Sequence, residues 1–437
     1  MERSDPSGLR PGGRLVSETL AAKWAELVSQ ALLILIVPRA LGAAPYGEFA
    51  VAFSVVSVLS FTLGMGAPLA AIRYVPAAAP DQRSARARAV ARSVGASRAR
   101  MLAVLTVAAA VLAPTVLDVP LAETLTVCAA AWCSVGSTIA SELGLALGRA
   151  RVWNARFPLE NGLVVVAAPV GHAVSGAHGA IAGMALACAA TFAVLYRWVA
   201  GELREAPAGA PLPPEAVAYA RLQTVTVTLA TLVKRGGPLA MPILGASATQ
   251  TGFAAVATGL GTAGLTTVMS LLIVQLPRLV HRGPDTLVDA EDEGGRTART
   301  ALLVAMAAAL PAALLAGPAI DLALGSEFSG ARSAVVLALP AVPLGAALGL
   351  ASLISSLRLR PGALAASWAL GSVTFAALAA ATIPSLHADG AALSMSAGLI
   401  VACVAATLLV GGRVLRNTSA AAIAGALVVL GAGALAG

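Results

Sequence analysis

The sequence predicts an all-α integral membrane protein: twelve transmembrane helices, thirteen or fourteen if the tail also crosses, in two pseudo-symmetric six-helix bundles around a central cavity. Three observations predict this. Of 437 residues, 58% are hydrophobic and only 11% charged, and the mean hydropathy is +0.85. A soluble domain carries about a quarter charged residues, so lipid must solvate much of this surface. Apolar runs recur at about 20 residues, the length that carries a helix across about 30 Å of hydrocarbon. Finally, the two halves of the chain resemble each other. With aromatics at 4% and the apolar mass mostly Ala, Leu, Val and Gly, close helix packing is favoured over an outer-membrane barrel.

The elements follow in order. Residues 1–14 form a polar tail, expected to be retained and to lie in the cytoplasm. The first bundle, 15–205, takes the apolar runs 15–37, 49–71, 101–117, 121–147, 159–173 and 179–200. The linker, 206–216, contains APAGAPLPP and cannot continue a helix. The second bundle, 217–412, takes 217–244, 252–276, 300–322, 334–356, 362–383 and 391–410. The tail, 413–437, holds a further short hydrophobic run at 420–436.

Loop charges support the segmentation independently. Arginines concentrate after the even-numbered spans: Arg73 through Arg100, then Arg149, Arg151 and Arg156, Arg204, Arg278 through Arg299, Arg358 and Arg360, Arg413 and Arg416. The other loops hold almost none, Arg39 and Arg332 excepted. The positive-inside rule therefore places the even-numbered loops and the N-terminus in the cytoplasm, with the chain in the cell membrane. The long loop 77–100 spaces its arginines along an alanine-rich stretch. It reads either as a basic helix on the anionic inner leaflet or as a solvated topogenic loop.

Several function classes are excluded. The net charge of +8 falls between apolar runs, without the stacking aromatics of a nucleic-acid binder. Cys128, Cys133, Cys188 and Cys403 lie inside apolar runs without metal-ligand spacing and read as small core residues. Gly259, Gly261 and Gly264 spell GxGxxG, but inside a span and with no preceding strand, so helix packing is their role. No nucleotide-binding lysine motif, metal cluster, cofactor site or soluble catalytic domain is expected. The chain is read as a transporter rather than an enzyme, driven by an ion gradient or by the gradient of its own substrate.

The repeat has an offset of roughly 200 residues. Leu41-Gly42, Gly47 and Arg73 are echoed by Leu244-Gly245, Gly252 and Arg278; Pro80-Asp81 by Pro284-Asp285; Arg100 by Arg299. Six crossings separate the copies, so they are parallel and their pseudo-axis runs along the membrane normal, a design whose substrate lies between the repeats.

Ionisable groups at bilayer depth must face protein or water. Thr19, Lys23, Glu26 and Gln30 fall on one face of the first span. Thr224, Thr228, Thr231 and Arg235 follow the same spacing on the seventh, with Lys234 beside them, and the two stripes are expected to correspond within the repeat. The candidate substrate-binding set is Lys23, Glu26, Gln30, Thr228, Thr231, Lys234 and Arg235, whose cations would attract an anionic, phosphate-bearing substrate. The other reading is a bundle-stabilising set, with Lys23 paired to Glu26. Glu142, near Ser134, Thr138 and Ser141, is a candidate coupling carboxylate for an ion or proton. Glu123 and Glu160, near helix ends, are expected to reach headgroup water, and His172, His178, His281 and His387 to be solvated.

The stretch from Ile36 to Phe49, IVPRALGAAPYGEF, and the later LGMGAPLAAIRYV from Leu63 to Val75 resemble the first hairpin of the polysaccharide transporter family. These are the lipid-linked oligosaccharide flippases of the multidrug/oligosaccharidyl-lipid/polysaccharide exporter superfamily. The leucine-glycine and tyrosine-glycine turn is matched by Leu41-Gly42 and Tyr46-Gly47, and the glycine-rich end of the second helix by Gly64, Gly66 and Arg73. The resemblance implies translocation of an isoprenyl-diphosphate-linked glycan to the outer leaflet by alternating access. Its partners would be that glycan, membrane lipids and polysaccharide biosynthesis enzymes, with no nucleic acid. The alternatives are a multidrug or other small-molecule antiporter of the same superfamily, and a membrane-embedded glycan polymerase or ligase, which the short outer loops disfavour.

Overall fold

A computed structural model describes residues 13–64, 75, 82–116, 119–205, 214–273, 287–358 and 360–436, and no strand occurs among them. The first half comprises α1 (Gly13–Leu41), α2 (Ala43–Gly64), α3 (Arg83–Val116), α4 (Leu121–Ala146) and α5 (Ala150–Glu205). The second comprises α6 (Pro214–Ile243), α7 (Ala248–Ile273), α8 (Leu287–Leu314), α9 (Ala316–Ala323), α10 (Arg332–Ala338), α11 (Ala341–Leu357), α12 (Pro361–Leu386), α13 (Ala388–Leu409) and α14 (Arg413–Ala436). Among the described residues, 11 helices are long and apolar enough to cross a membrane, counting α5 once. The chain is a multi-pass membrane protein.

Among the described residues every predicted span lies mainly on helix, with 65–71, 117 and 274–276 outside the described set, and the boundaries carry information. The helix α5 folds back on itself at Ser175 (φ −147°, ψ 33°) and Gly176 (φ 64°, ψ −147°), and so supplies the fifth and sixth spans. Its limbs touch backbone to backbone: a side chain at Gly171 would strike the carbonyl of Gly179, and one at Gly183 that of Ala167. The ninth span ends at Leu314 rather than at residue 322, because Pro318 has no N–H to give the Leu314 carbonyl and the chain re-forms as the short α9. The tenth is split into α10 and α11 around Pro340.

Three expectations are corrected. The basic stretch 83–100 does not lie apart on a leaflet but runs unbroken into the third span. The resulting α3 has 34 residues, about 51 Å at 1.5 Å per residue. Its Ala87, Val90 and Val94 are buried in one cluster with Leu143 and Ala146 of α4, Val152, Leu195 and Val199 of α5, and Ala220 of α6. The hydrophobic run at the C-terminus is not short: α14 has 24 residues, and its Leu415, Ala422, Ala426 and Val429 are fully buried. It packs on α8 and α11, with Gly425 against Met306 and Pro343. Arg156, counted above as a loop charge, lies within α5 and is buried. Linker residues 206–213 lie outside the described set.

The repeat is visible as geometry. Gly42 (φ 81°) and Gly245 (φ 80°) make matching left-handed turns. Beyond them, Gly47 lies against the Ala248 carbonyl and the Gly252 amide, while Gly252 lies against the Ala43 carbonyl and the Gly47 amide. A reciprocal contact of this kind arises only where a two-fold axis passes between the partners. It puts α2 and α7 at the centre of the molecule, touching at the end remote from the arginine-rich loops.

Candidate functional site

On that axis, just inside the Gly47–Gly252 contact, lies a cavity of about 30 Å³ walled by α1, α2, α6 and α7. Gln30 and Arg235 contribute its polar lining, with Ser54 and Thr258, among apolar residues including Leu33, Phe49 and Phe53. The Arg235 guanidinium stands 5.6 Å from the centre of the Phe53 ring, within cation–π range. Among the described residues, no carboxylate pairs with Arg235 or Lys234. An aromatic face can partner a guanidinium without neutralising it, so the site keeps its attraction for an anion.

The remaining predicted residues are distributed unevenly. Lys234 adjoins Arg235 and is half-buried outside the cavity wall, its carbonyl accepting a 3.0 Å hydrogen bond from Thr262. Thr228 and Thr231 turn their hydroxyls onto their own helix, donating at 2.7 Å to the carbonyls of Thr224 and Val227. Glu26 is half-buried one turn before Gln30, and the Lys23 side chain lies outside the described set. The stripes do not correspond as expected. Lys23 precedes the turn glycine Gly42 by nineteen residues, whereas Lys234 precedes Gly245 by eleven, so the two lysines stand about two helical turns apart in depth.

Glu142 is buried in the first bundle, away from the seam, and accepts a 3.3 Å hydrogen bond from Trp153 Nε1. Beside it is a network that the sequence reading missed. The Arg156 side chain is 4% exposed and pairs with Glu160 at 3.8 Å. It also donates to Ser60 Oγ at 3.0 Å and stacks 4.5 Å from the Phe157 ring centre. Ser134 donates to Glu160 Oε1 at 2.9 Å, and Ser60 bonds Thr138 at 2.9 Å. Glu160 therefore does not reach headgroup water; α2, α4 and α5 enclose it. The i, i+4 spacing of Arg156 and Glu160 was the available signal, hidden because Arg156 closely follows Arg149, in the loop, and Arg151, in the first turn of α5. Replacing Glu160 with alanine would strand a buried guanidinium. We expect it to destabilise the protein by about 3 to 5 kcal/mol, read as a lowered unfolding temperature in detergent, with a smaller loss for Glu160→Gln. Glu123 is paired instead with exposed His178, at 3.1 Å.

The end remote from the arginine-rich loops is closed in three ways. The Gly47–Gly252 contact joins the backbones. Tyr46 and Phe253 each meet Phe328 edge-on, with ring centres 6.1 and 6.0 Å apart, so an aromatic chain bridges the halves. Arg39 donates to the carbonyls of Leu322 at 2.9 Å and Ala323 at 3.2 Å, closing the C-terminal end of α9, a favourable place for a cation. That contact accounts for an arginine on the otherwise arginine-poor side.

No family model matches the chain, and no curated protein matches it by sequence. Solved structures do match in fold. One is described as the lipid II flippase MurJ in an inward closed conformation, with TM-score 0.71, 10% identity and 96% of each chain covered. The Vibrio cholerae MATE transporter VcmN, in a mutant form, gives TM-score 0.61 at 15% identity over 91% of this chain and 96% of that one. An inward-facing multidrug resistance MATE transporter of the MOP superfamily gives 0.56 at 14% over 90% and 95%. All three are described as a flippase or transporters, and at these identities it is their helical fold that this chain shares.

Proposed function

We propose that this protein is a flippase of the same superfamily that moves an isoprenyl-diphosphate-linked oligosaccharide from the cytoplasmic to the outer leaflet by alternating access. The observation that carries the reading is Arg235 on the wall of a seam cavity, with Lys234 adjacent and no described carboxylate neutralising either. A cation in a low-dielectric hollow attracts phosphate and repels a cationic drug, so the charge favours glycolipid over multidrug cargo. In this reading the arginine-rich loops and the N-terminus are cytoplasmic, and residues 15–205 and 217–412 rock about the linker 206–216. Biosynthetic enzymes would supply the glycan, and Glu142 is the candidate for ion or proton coupling. A pocket that encloses even a drug-sized ligand holds roughly 300 to 1,000 Å³, against a cavity of about 30 Å³ here. In this reading the cavity must widen to admit the cargo.

The test is a competition in proteoliposomes. The reconstituted protein should flip a fluorescent isoprenyl-diphosphate oligosaccharide and ignore a cationic dye such as ethidium. Transport of the dye, with no flipping of the glycolipid, would favour the multidrug reading instead.

A further inference from the structure

We infer that Arg98 is a second anion-binding station, at the arginine-rich mouth of the seam, that takes the substrate diphosphate before it reaches Arg235; this rests on the flippase reading above. Arg98 projects from α3 of the first bundle to α6 of the second, where its Nη2 donates to Thr224 Oγ1 at 3.2 Å. Its Nη1 reaches only the Met101 sulfur, at 3.5 Å. Its Nε is buried with no acceptor, and no described carboxylate pairs with it.

A guanidinium presents five N–H donors. One hydroxyl and one thioether engage two of them, and the Nε–H is buried without an acceptor, where an uncompensated polar group is costly. The Thr224 hydroxyl gives its own proton to the Ala220 carbonyl at 2.9 Å, so it offers Arg98 only a neutral lone pair. A phosphate oxygen would displace that contact and could be held bidentately with a charge-assisted bond. Of the other arginines of this helix, Arg83 and Arg88 have partners, Arg86 is half-buried but lies about three turns before Arg98, Arg92 is exposed, and Arg100 bonds the Ala96 carbonyl of its own helix.

The placement then gives a path. Thr224, Thr228, Thr231 and Arg235 share one face of α6, and eleven residues separate the first from the last, about 16 Å along the axis. A headgroup gripped at Arg98 would therefore lie at the start of the polar face that ends at the cavity.

The full-length chain in proteoliposomes, titrated with the isoprenyl-diphosphate oligosaccharide, tests this through the split between half-saturation and maximal rate. Losing hydrogen bonds to a charged ligand weakens binding roughly ten- to hundredfold. Arg98→Gln should thus raise the half-saturating concentration by at least about tenfold while the rate at saturation stays near that of the unmodified chain. Arg98→Lys should fall between, and Thr224→Val should leave half-saturation unchanged. A fall in maximal rate alone, or a Thr224→Val phenotype matching Arg98→Gln, would make Arg98 a strut between the bundles and overturn the inference.

Binding of farnesyl diphosphate to the purified protein in detergent separates this idea from the one beneath it. Weaker binding by Arg98→Gln, in a protein that flips no glycolipid, would sink the flippase reading and keep the anion station. Unchanged binding in an active flippase would do the reverse.

Discussion

Replacing Lys234 and Arg235 together with alanine is expected to reduce glycolipid flipping at least about a hundredfold while leaving membrane insertion intact. Each cation can make hydrogen bonds to phosphate worth about 1.5 to 3 kcal/mol, and no neighbouring carboxylate among the described residues would be stranded by their loss. The fold should tolerate the change. Alanine has the highest helix propensity, and the bond from Thr262 goes to the Lys234 backbone carbonyl, which alanine retains. The single variants should differ: Arg235 lines the cavity and Lys234 does not, so Arg235→Ala should be the more damaging. Arg235→Lys should rescue only in part, since a lysine neither stacks on Phe53 as a planar guanidinium does nor binds phosphate bidentately. Initial flipping rates, normalised to reconstituted protein, decide the matter; a double variant with an unchanged rate would remove the charge argument for anionic cargo.

What the sequence could convey followed from what each signal measures. Hydropathy runs and arginine bias report on lipid contact and topology, and the described residues of the spans they predicted are mainly helix. The LG and G spacing around residues 42–47 and 245–252 conveyed the repeat because the same turn must be built twice, with Gly42 and Gly245 both left-handed. Depth was less legible. Counting along the chain suggested that Lys23 and Lys234 correspond, but only the turn glycines fix the register, and they separate the two lysines by about two turns. Arg156 shows the same weakness from the other side. Next to Arg149 and Arg151 it counts as loop charge, although one more turn of helix buries it against Ser60 and Glu160. Contacts between elements left no periodic mark at all, and Arg98 on Thr224 and Arg39 on the end of α9 are of this kind.

The closure at Gly47 and Gly252 makes a prediction of comparable size, because the obstacle there is backbone. A methyl group at Gly47 would occupy the space of the Ala248 carbonyl oxygen, and one at Gly252 that of the Ala43 carbonyl oxygen. A flexible side chain could swing aside; two helix backbones can relieve the overlap only by moving apart. That strain, about 1 to 3 kcal/mol for an overpacked contact, falls on the closed state and vanishes when α2 and α7 separate. Gly47→Ala should therefore shift the population toward the state open at that end by about tenfold or more.

A single thiol on the cavity wall, introduced as Ser54→Cys in a chain whose four native cysteines have been replaced, would report the shift, since Ser54 lines the cavity and is now only 3% exposed. With the arginine-rich loops cytoplasmic, as proposed, a membrane-impermeant thiol reagent added outside should label it faster in the Gly47→Ala background. Gly252→Ala should act alike, and the double variant should add little, because both methyls break one shared contact. Gly95→Ala, at a helix position with nothing within 4 Å, is the control for alanine itself. Equal labelling with and without the Gly47 methyl, in folded protein, would mean that the barrier at this end is the Tyr46–Phe328–Phe253 chain, and Phe328→Ala would then be the variant that opens it.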